Sequence, residues 1–405
     1  MWIPTLEQEI LSVIDAGDLI ETATFDAKAS LPAKGKSKDL AIDVAAMATD
    51  GGSLLYGLGE DENDRLTVPQ PFELAGARER VDQIVRTSIS EPPTIEVHTI
   101  PTDEDSSLGY LVIAVPPSPR APHMVTVGKD NRYYGRSATG NKLLTEGEVA
   151  RLYERRQRWE VDRAAMLDEA IESAPIPAHE GFAYLHLVAR PVVPDEDMFD
   201  RARGDQHPTQ FMDGLISSAL SAEVYSTPYS PDLQAGYNHE RRADGWAASR
   251  GLADGWVASR GLGIEWEEIE DPSLVLDLEV GLDGRGRLFC GRAAEEYRDR
   301  LLVIDVLVAG LTARFLAVMG ELYSAGGYLG LVDVGMAVTD LRGGISYVLS
   351  RRLGVDPTPF NKDSYRRTER LSAPMLSSDP RGAARKLVLP LSRAITRESY
   401  DPFSE

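Results

Sequence analysis

Apolar residues recur at helical spacing over residues 5–20, where Leu6, Ile10, Leu11 and Ile14 share one side and Gly17-Asp18 supplies a stop. From Ala23 to Ser30 the period shortens to two. Ala23, Phe25, Ala27 and Ala29 alternate with Thr24, Asp26, Lys28 and Ser30, which predicts a strand with one packed and one polar face. Ser37 then caps a predicted helix whose apolar stripe is Leu40, Ala41, Val44, Ala45 and Met47, ended by Asp50-Gly51-Gly52. That glycine pair also suits close approach of a phosphate to the backbone. An apolar strand over Ser53 to Leu58 emerges at Gly59 into the acidic turn Glu60 to Asp64. Next come a helix over Leu74 to Ser88, a strand near Thr94 to Ile100 and the apolar run Leu111 to Val115. A proline-rich loop over Pro116 to Pro122 and a helix over Thr145 to Arg158 close a first α+β domain.

The rest of the chain is less regular. Phe182 to Val193 has strand character, and Ser273 to Cys290 reads as a hairpin turning at Asp283-Gly284. A long helix over Glu295 to Tyr323 and a strand over Leu329 to Val338 precede a basic C-terminal region. The pattern thus predicts an α+β protein with a domain at 1–157, an acidic linking region at 158–272 and a C-terminal α+β domain at 273–405. The linking region holds a tandem repeat, Ala243 to Leu252 followed by Ala253 to Leu262. Two ten-residue copies fall short of a solenoid, whose units run to about 20 residues or more. A duplicated surface loop or helix extension is expected, or else an Arg/Trp surface that touches a partner.

Composition narrows the class. With 42% hydrophobic and 7% aromatic residues the chain reads as globular. Asp305, Arg314 and Glu321 interrupt its most apolar helix, Leu301 to Leu322, so no membrane span is expected. The N-terminus lacks a basic region leading into an apolar run, so the cytoplasm is the expected location. One cysteine, Cys290, excludes an internal disulfide and suits a buried, inert thiol. Six scattered histidines predict no zinc site, and no phosphate-binding Gly-x-x-x-x-Gly-Lys loop is present.

A net charge of −21 disfavours nucleic acid, whose phosphates demand Lys and Arg. Its distribution changes the picture. Residues 1–157 hold 16 basic against 25 acidic side chains, 158–300 hold 14 against 28, and 301–405 hold 13 against 11. Arg120 to Arg156 carries eight basic and four acidic residues, and Arg351 to Arg393 ten and four. Such local fields can attract a polyanion; solvated helix faces would look the same. In the first of these stretches Arg120, Lys129, Arg132, Arg136 and Lys142 lie near Tyr133 and Tyr134, a mixture suited to phosphate contact and base stacking.

Asp26 and Lys28 share the polar strand face, Glu21 lies just before it, and Glu60-Asp61 ends the next apolar strand. Were these strands neighbours, the carboxylates would converge at one sheet end. Hard oxygen ligands there could hold a divalent cation for phosphodiester hydrolysis, with Lys28 beside it to stabilise developing charge.

In order, Glu21-Thr22-Ala23-Thr24-Phe25-Asp26-Ala27-Lys28, the segment Ala48 to Asp61, the strand Leu111 to Pro116 and Tyr134-Gly135-Arg136-Ser137-Ala138-Thr139 closely resemble the Schlafen AlbA-type domain over about residues 15–157. The resemblance implies an α+β nucleic-acid-binding fold, RNA before DNA, and a possible homodimer. In some members it implies a Mg²⁺- or Mn²⁺-dependent endoribonuclease acting on structured RNA such as transfer RNA, linked to antiviral defence. On this chain the implied catalytic set is Glu21, Asp26, Lys28, Glu60 and Asp61, with Glu21, Asp26, Glu60 and Asp61 as metal ligands. Three positions depart from the family pattern: Asp26 replaces a glutamate, Ala27 a phenylalanine, and Thr49-Asp50 an Asn-Thr pair. Asp26 keeps the charge and loses one methylene of reach. Alternatives are a non-catalytic DNA- or RNA-binding module of the same fold, and a nucleotide-binding N-terminal domain; the C-terminal domain would select a substrate or sense a trigger.

Overall fold

The computed structural model describes residues 2–17, 19–33, 37–60, 66–127, 131–137, 140–221, 238–250, 271–351, 358–396 and 400–403. Its chain divides into two compact units, Met1–Trp159 and Glu160–Glu405, each mixing helices with sheets, so the α+β class predicted from the pattern is observed.

The first unit begins with α1 (Glu7–Ala16), stopped by Gly17 in the left-handed conformation at φ 71°. β1 (Phe25–Lys28) is shorter than the alternation predicted, because Thr22 and Phe25 close a tight bridge that takes residues 23 and 24 out of the strand. There follow α2 (Lys38–Met47), β2 (Gly52–Tyr56), β3 (Leu58–Glu60), β4 (Leu66–Pro69), β5 (Phe72–Glu73) and α3 (Ala77–Ser88). After them come β6 (Ile89–Ser90), β7 (Glu96–Pro101), β8 (Leu108–Val115), β9 (Met124–Val125), β10 (Arg132–Ser137), β11 (Gly140–Leu143) and α4 (Glu146–Glu172). The glycine pair after α2 has a packing task. A Cβ on Gly52 would lie 2.7 Å from the Thr24 carbonyl oxygen, and Gly51, at φ 85°, closes against Pro117.

β1 pairs parallel with β2, with Asp26 opposite Leu54 and Lys28 opposite Tyr56, and β2 pairs antiparallel with β8, which also carries β5 and β7. Helix α1 covers Phe25, Ala27, Leu55, Tyr110 and Val112 on one face of this sheet. On the other face α2 and α3 cover Leu54, Tyr56, Leu111, Ile113 and Val115. Asp26 and Lys28, one residue out of phase with Phe25 and Ala27, therefore point toward α2. A second sheet, ordered β11-β10-β9-β6, packs on the same helix. The strand face expected to be polar and solvated is thereby roofed over, and Asp26 is only 6% exposed.

The second unit is built on one nine-stranded sheet. Its elements are β12 (Phe182–Pro191), α5 (Met198–Arg203), α6 (Pro208–Ser221), β13 (Asn238–Arg242), β14 (Gly245–Arg250), β15 (Leu276–Gly281), β16 (Gly286–Glu296) and β17 (Leu301–Val303). Then follow α7 (Asp305–Ala325), β18 (Leu331–Thr339), β19 (Ile345–Ser346), α8 (Tyr347–Ser350), β20 (Tyr365–Ser372), α9 (Ala373–Ser378) and α10 (Pro380–Ile395). The order is β13-β14-β15-β16-β12-β18-β20, with β17 pairing β16 and β19.

Three expectations change here. The middle segment read as a linking region supplies β12, β13 and β14 to this sheet, with β12 between β16 and β18. The strand character read over Phe182 to Val193 is β12, whereas the polar run of β13, Asn238–Arg242, carries no apolar alternation that would mark it as a strand. Next, the first repeat copy is neither loop nor helix extension: Gly245–Arg250 is a strand paired to β15, and the second copy lies outside the described residues. Finally, Glu295-Glu296, where the long helix was expected to start, end β16 instead, since pairing of Glu295 with Leu302 and of Glu296 with Leu301 overrides local helix preference. The helix begins at Asp305, and its length and composition would suffice to cross a membrane. Nevertheless, 94% of its most apolar window is buried, which makes it the core helix of this unit.

Candidate functional site

β1 brings Asp26 and Lys28 beneath β10, and their partners define a compact polar cluster. Arg136 Nη1 donates to Asp26 Oδ2 at 3.0 Å, while its Nη2 donates to the Thr22 carbonyl at 3.1 Å. Lys28 Nζ lies 3.4 Å from Asp26 Oδ2 and 3.7 Å from Asp43 Oδ2. Asn141 Nδ2 donates to Asp43 Oδ1 at 2.5 Å and its own Oδ1 accepts from Arg136 at 3.3 Å. Glu21 accepts the backbone N–H of Ala27 at 3.2 Å and hydrogen-bonds the Asp26 carboxyl. Both side chains of the Arg136–Asp26 pair are 8% exposed, so the pair is a buried one. Buried pairs persist when further hydrogen bonds satisfy what remains of each charge; Thr22, Lys28 and Asn141 supply such bonds, and only the Arg136 Nε–H of this pair has no partner among the described residues.

The charges shift one another. Burial and the hydrogen bond to Asp26 push the Glu21 carboxyl up to about 7. Burial would raise Asp26 as well, but the Glu21 hydrogen bond and the Lys28 and Arg136 charges outweigh it and hold Asp26 below the usual carboxylate range. In this coupled pair Asp26 loses its proton first and Glu21 keeps its own to a higher pH than an ordinary carboxyl. Burial raises Asp43, opposed by Lys28. It also carries the Tyr56 hydroxyl well above its ordinary value, with Asp43 and Asp26 adding to the effect; that hydroxyl has no hydrogen-bond partner among the described residues.

Of the residues proposed from sequence, Glu21, Asp26, Lys28 and Arg136 meet. Glu60 does not join them: it is exposed at the end of β3, opposite Leu66 of the β3–β4 hairpin, and among the described residues no hydrogen bond or ion pair links it to the cluster. Asp61 and Lys129 lie outside the described residues. Sequence reasoning missed Asp43, Asn141 and Tyr56. Asp43 was the findable one, a single acid inside the otherwise apolar run Leu40 to Met47.

Strand β10 uses its two faces differently. Tyr134 packs on the α2 core and Arg136 enters the cluster, so this alternate set points inward. Tyr133 lies on the opposite face, where its hydroxyl sits 3.0 Å from that of Tyr153 on α4, with the rings edge to face at 6.5 Å. Lys142, opposite Gly135 in the β10–β11 ladder, shares that outer face and reaches Glu148 at 2.6 Å. Arg120 and Arg132 are exposed.

Residues 21–145 match the family model described as Schlafen, AlbA_2. The Schlafen match runs from Glu21 to Thr145 and so contains every residue of the cluster, together with β10 and β11. It accounts for the N-terminal resemblance, and this type of domain points to nucleic-acid binding. No curated protein matches the chain. Mg²⁺ or Mn²⁺, which Schlafen enzymes imply, would need several carboxylates free to converge. Among the described residues no group of three or more His, Cys, Asp or Glu side chains is placed to hold a metal ion. Asp26 is already committed to Arg136 and Lys28, and Glu60 stands apart, so the described donors do not fit such a cation.

Proposed function

We propose that the N-terminal unit binds nucleic acid, looped or single-stranded RNA in preference to duplex DNA, and does so without cutting it. The division of labour on β10 carries this reading. The inward face spends Arg136 on Asp26, which ties β10 to β1. The outward face offers Tyr133 and Tyr153 for base stacking and Lys142 as a cation for phosphates, while Arg120 and Arg132 are further exposed cations of the same unit, off that face. Lys142 would exchange Glu148 for a phosphate at little cost, since exposed ion pairs are worth about 0–1 kcal/mol.

The decisive experiment incubates the full chain with transfer RNA, single-stranded RNA and single-stranded DNA, each with Mg²⁺, Mn²⁺ or EDTA. Binding in EDTA, with intact substrate throughout and weaker binding by Tyr133→Ala and Lys142→Ala, is the expected result. Metal-dependent cleavage of structured RNA that Glu21→Ala or Asp26→Ala abolishes would overturn it in favour of an endoribonuclease. Absence of any binding at low salt would overturn both.

A further inference from the structure

The second unit holds a cavity of about 820 Å³ whose lining sets four arginines, Arg292, Arg298, Arg300 and Arg351, and two tyrosines against a single carboxylate, Glu295. One wall is the turn between β16 and β17, where Tyr297 and Arg300 exchange backbone hydrogen bonds of 2.9 and 3.3 Å. The two residues between them, Arg298 and Asp299, have φ of 53° and 60°. Glycine or asparagine would occupy this left-handed conformation at least cost, yet here an arginine stands in it. The opposite wall is α8, held at its start by Asp305, whose Oδ2 accepts from the Ser346 hydroxyl at 2.8 Å.

The charge arrangement singles this cavity out. Elsewhere in the unit three partly buried arginines are matched to acids: Arg242 to Asp277 and Glu279, Arg287 to Glu279, and Arg370 to Asp333 and Glu160. In the cavity Arg292 is paired with Glu295 at 2.9 Å. Among the described residues, Arg298, Arg300 and Arg351 form no ion pair with a carboxylate. The Arg298 guanidinium lies 5.0 Å over the Tyr297 ring, that of Arg351 lies 5.5 Å over Tyr347, and Arg351 also donates to the Tyr347 hydroxyl at 2.8 Å. In a chain of net charge −21, three guanidinium groups without a carboxylate, converging on one concavity, call for an anion from outside. Tyr297 is 59% exposed, a large aromatic surface in contact with the Arg298 guanidinium and otherwise open to solvent.

We infer that this cavity binds a phosphorylated nucleotide. Guanidinium forks take phosphate oxygens two at a time, and tyrosine rings and guanidinium planes stack on bases. Its volume falls in the range of about 300–1,000 Å³ typical of small-molecule sites. The inference does not rest on what the N-terminal unit binds. Two sources share this chemistry, a free nucleotide and the phosphorylated end of an RNA strand.

Calorimetric titration of the full chain with ATP, AMP, adenosine and pyrophosphate tests it. ATP or AMP should bind, with adenosine and pyrophosphate each at least roughly tenfold weaker, a difference of one decade in Kd. The double variant Arg298→Asn/Arg300→Gln and the single variant Tyr297→Ala should each lose at least roughly tenfold. Asparagine tolerates the left-handed turn, so unchanged circular dichroism would separate lost charge from lost fold. Tyr133→Ala, in the N-terminal unit, should leave nucleotide binding intact. Displacement of ATP by 5′-phosphorylated single-stranded RNA assigns the site to a strand end, and failure to displace assigns it to free nucleotide; both support the proposal. It is overturned if no nucleotide binds, if pyrophosphate binds as tightly as ATP, or if the variants bind like the parent.

Discussion

Asp26 illustrates how little a residue's chemistry is settled by its identity. On an exposed strand face it would be an ordinary carboxylate; beneath β10 it anchors Arg136 and shares hydrogen bonding with Glu21. Removing one member of such a buried pair leaves the other unpaired in a poorly hydrated place. Arg136→Ala is therefore expected to lose about 3 kcal/mol of stability in urea denaturation. If the pair acts mainly as a latch, Asp26→Leu combined with Arg136→Met should recover most of that loss, because well-packed apolar residues can replace a buried pair. RNA binding by the double variant, measured by gel shift, should stay close to the parent's, since neither substituted residue is among the proposed contacts and Tyr133 and Lys142 lie on the other face of β10. Asp43 teaches a related lesson: an acid in an apolar helical run was visible in the sequence, but its partners Lys28 and Asn141, 15 residues before it and 98 after it, were not.

At the scale of elements, α7 and its neighbours show where packing overrules propensity. A Cβ on Gly320 would sit 2.5 Å from backbone atoms of Leu376 and Ser377 in α9. Helix propensity alone would favour Gly320→Ala by about 1 kcal/mol. The close approach of two backbones reverses the sign, and a net loss of roughly 1–3 kcal/mol is expected, read as a lowered midpoint in thermal or urea unfolding. The first residue of the same helix gives a pH dependence. Asp305 is 4% exposed, and burial pushes its carboxyl up to about 6, opposed by hydrogen bonds from Ser346 and the Val348 N–H. Its folded-state value lies above the ordinary 3.8, so the folded state holds the proton more tightly. The corresponding stability is complete below about pH 4 and is lost as pH rises through about 6. The free energy of unfolding should fall in the parent as pH rises between those values, and that slope should be lost in Asp305→Asn.

For the whole molecule, net charge and local fields pull in opposite directions. The N-terminal binding surface offers three exposed cations, Arg120, Arg132 and Lys142, within an acidic chain. The slope of log affinity against log salt for single-stranded RNA should therefore be shallow, roughly −2, at about 0.7 per phosphate contacted. A much steeper slope would mean that further basic residues take part. The alternation in residues 23–30, the stripe of α2 and the apolar run of β8 were enough by themselves to determine an α+β N-terminal domain, because each element's period is written in adjacent residues. Glu21, Asp26, Lys28 and Arg136 were likewise legible as functional candidates through their ordered motifs. Only the tertiary structure decided which face of β1 is roofed, that Asp43 and Asn141 complete the cluster and Glu60 stands outside it, and that the acidic middle segment builds a sheet. It also gathered Arg298, Arg300 and Arg351 around one cavity. Each of these depends on pairing between distant residues, where burial and long-range register outweigh the local preferences that a linear pattern records.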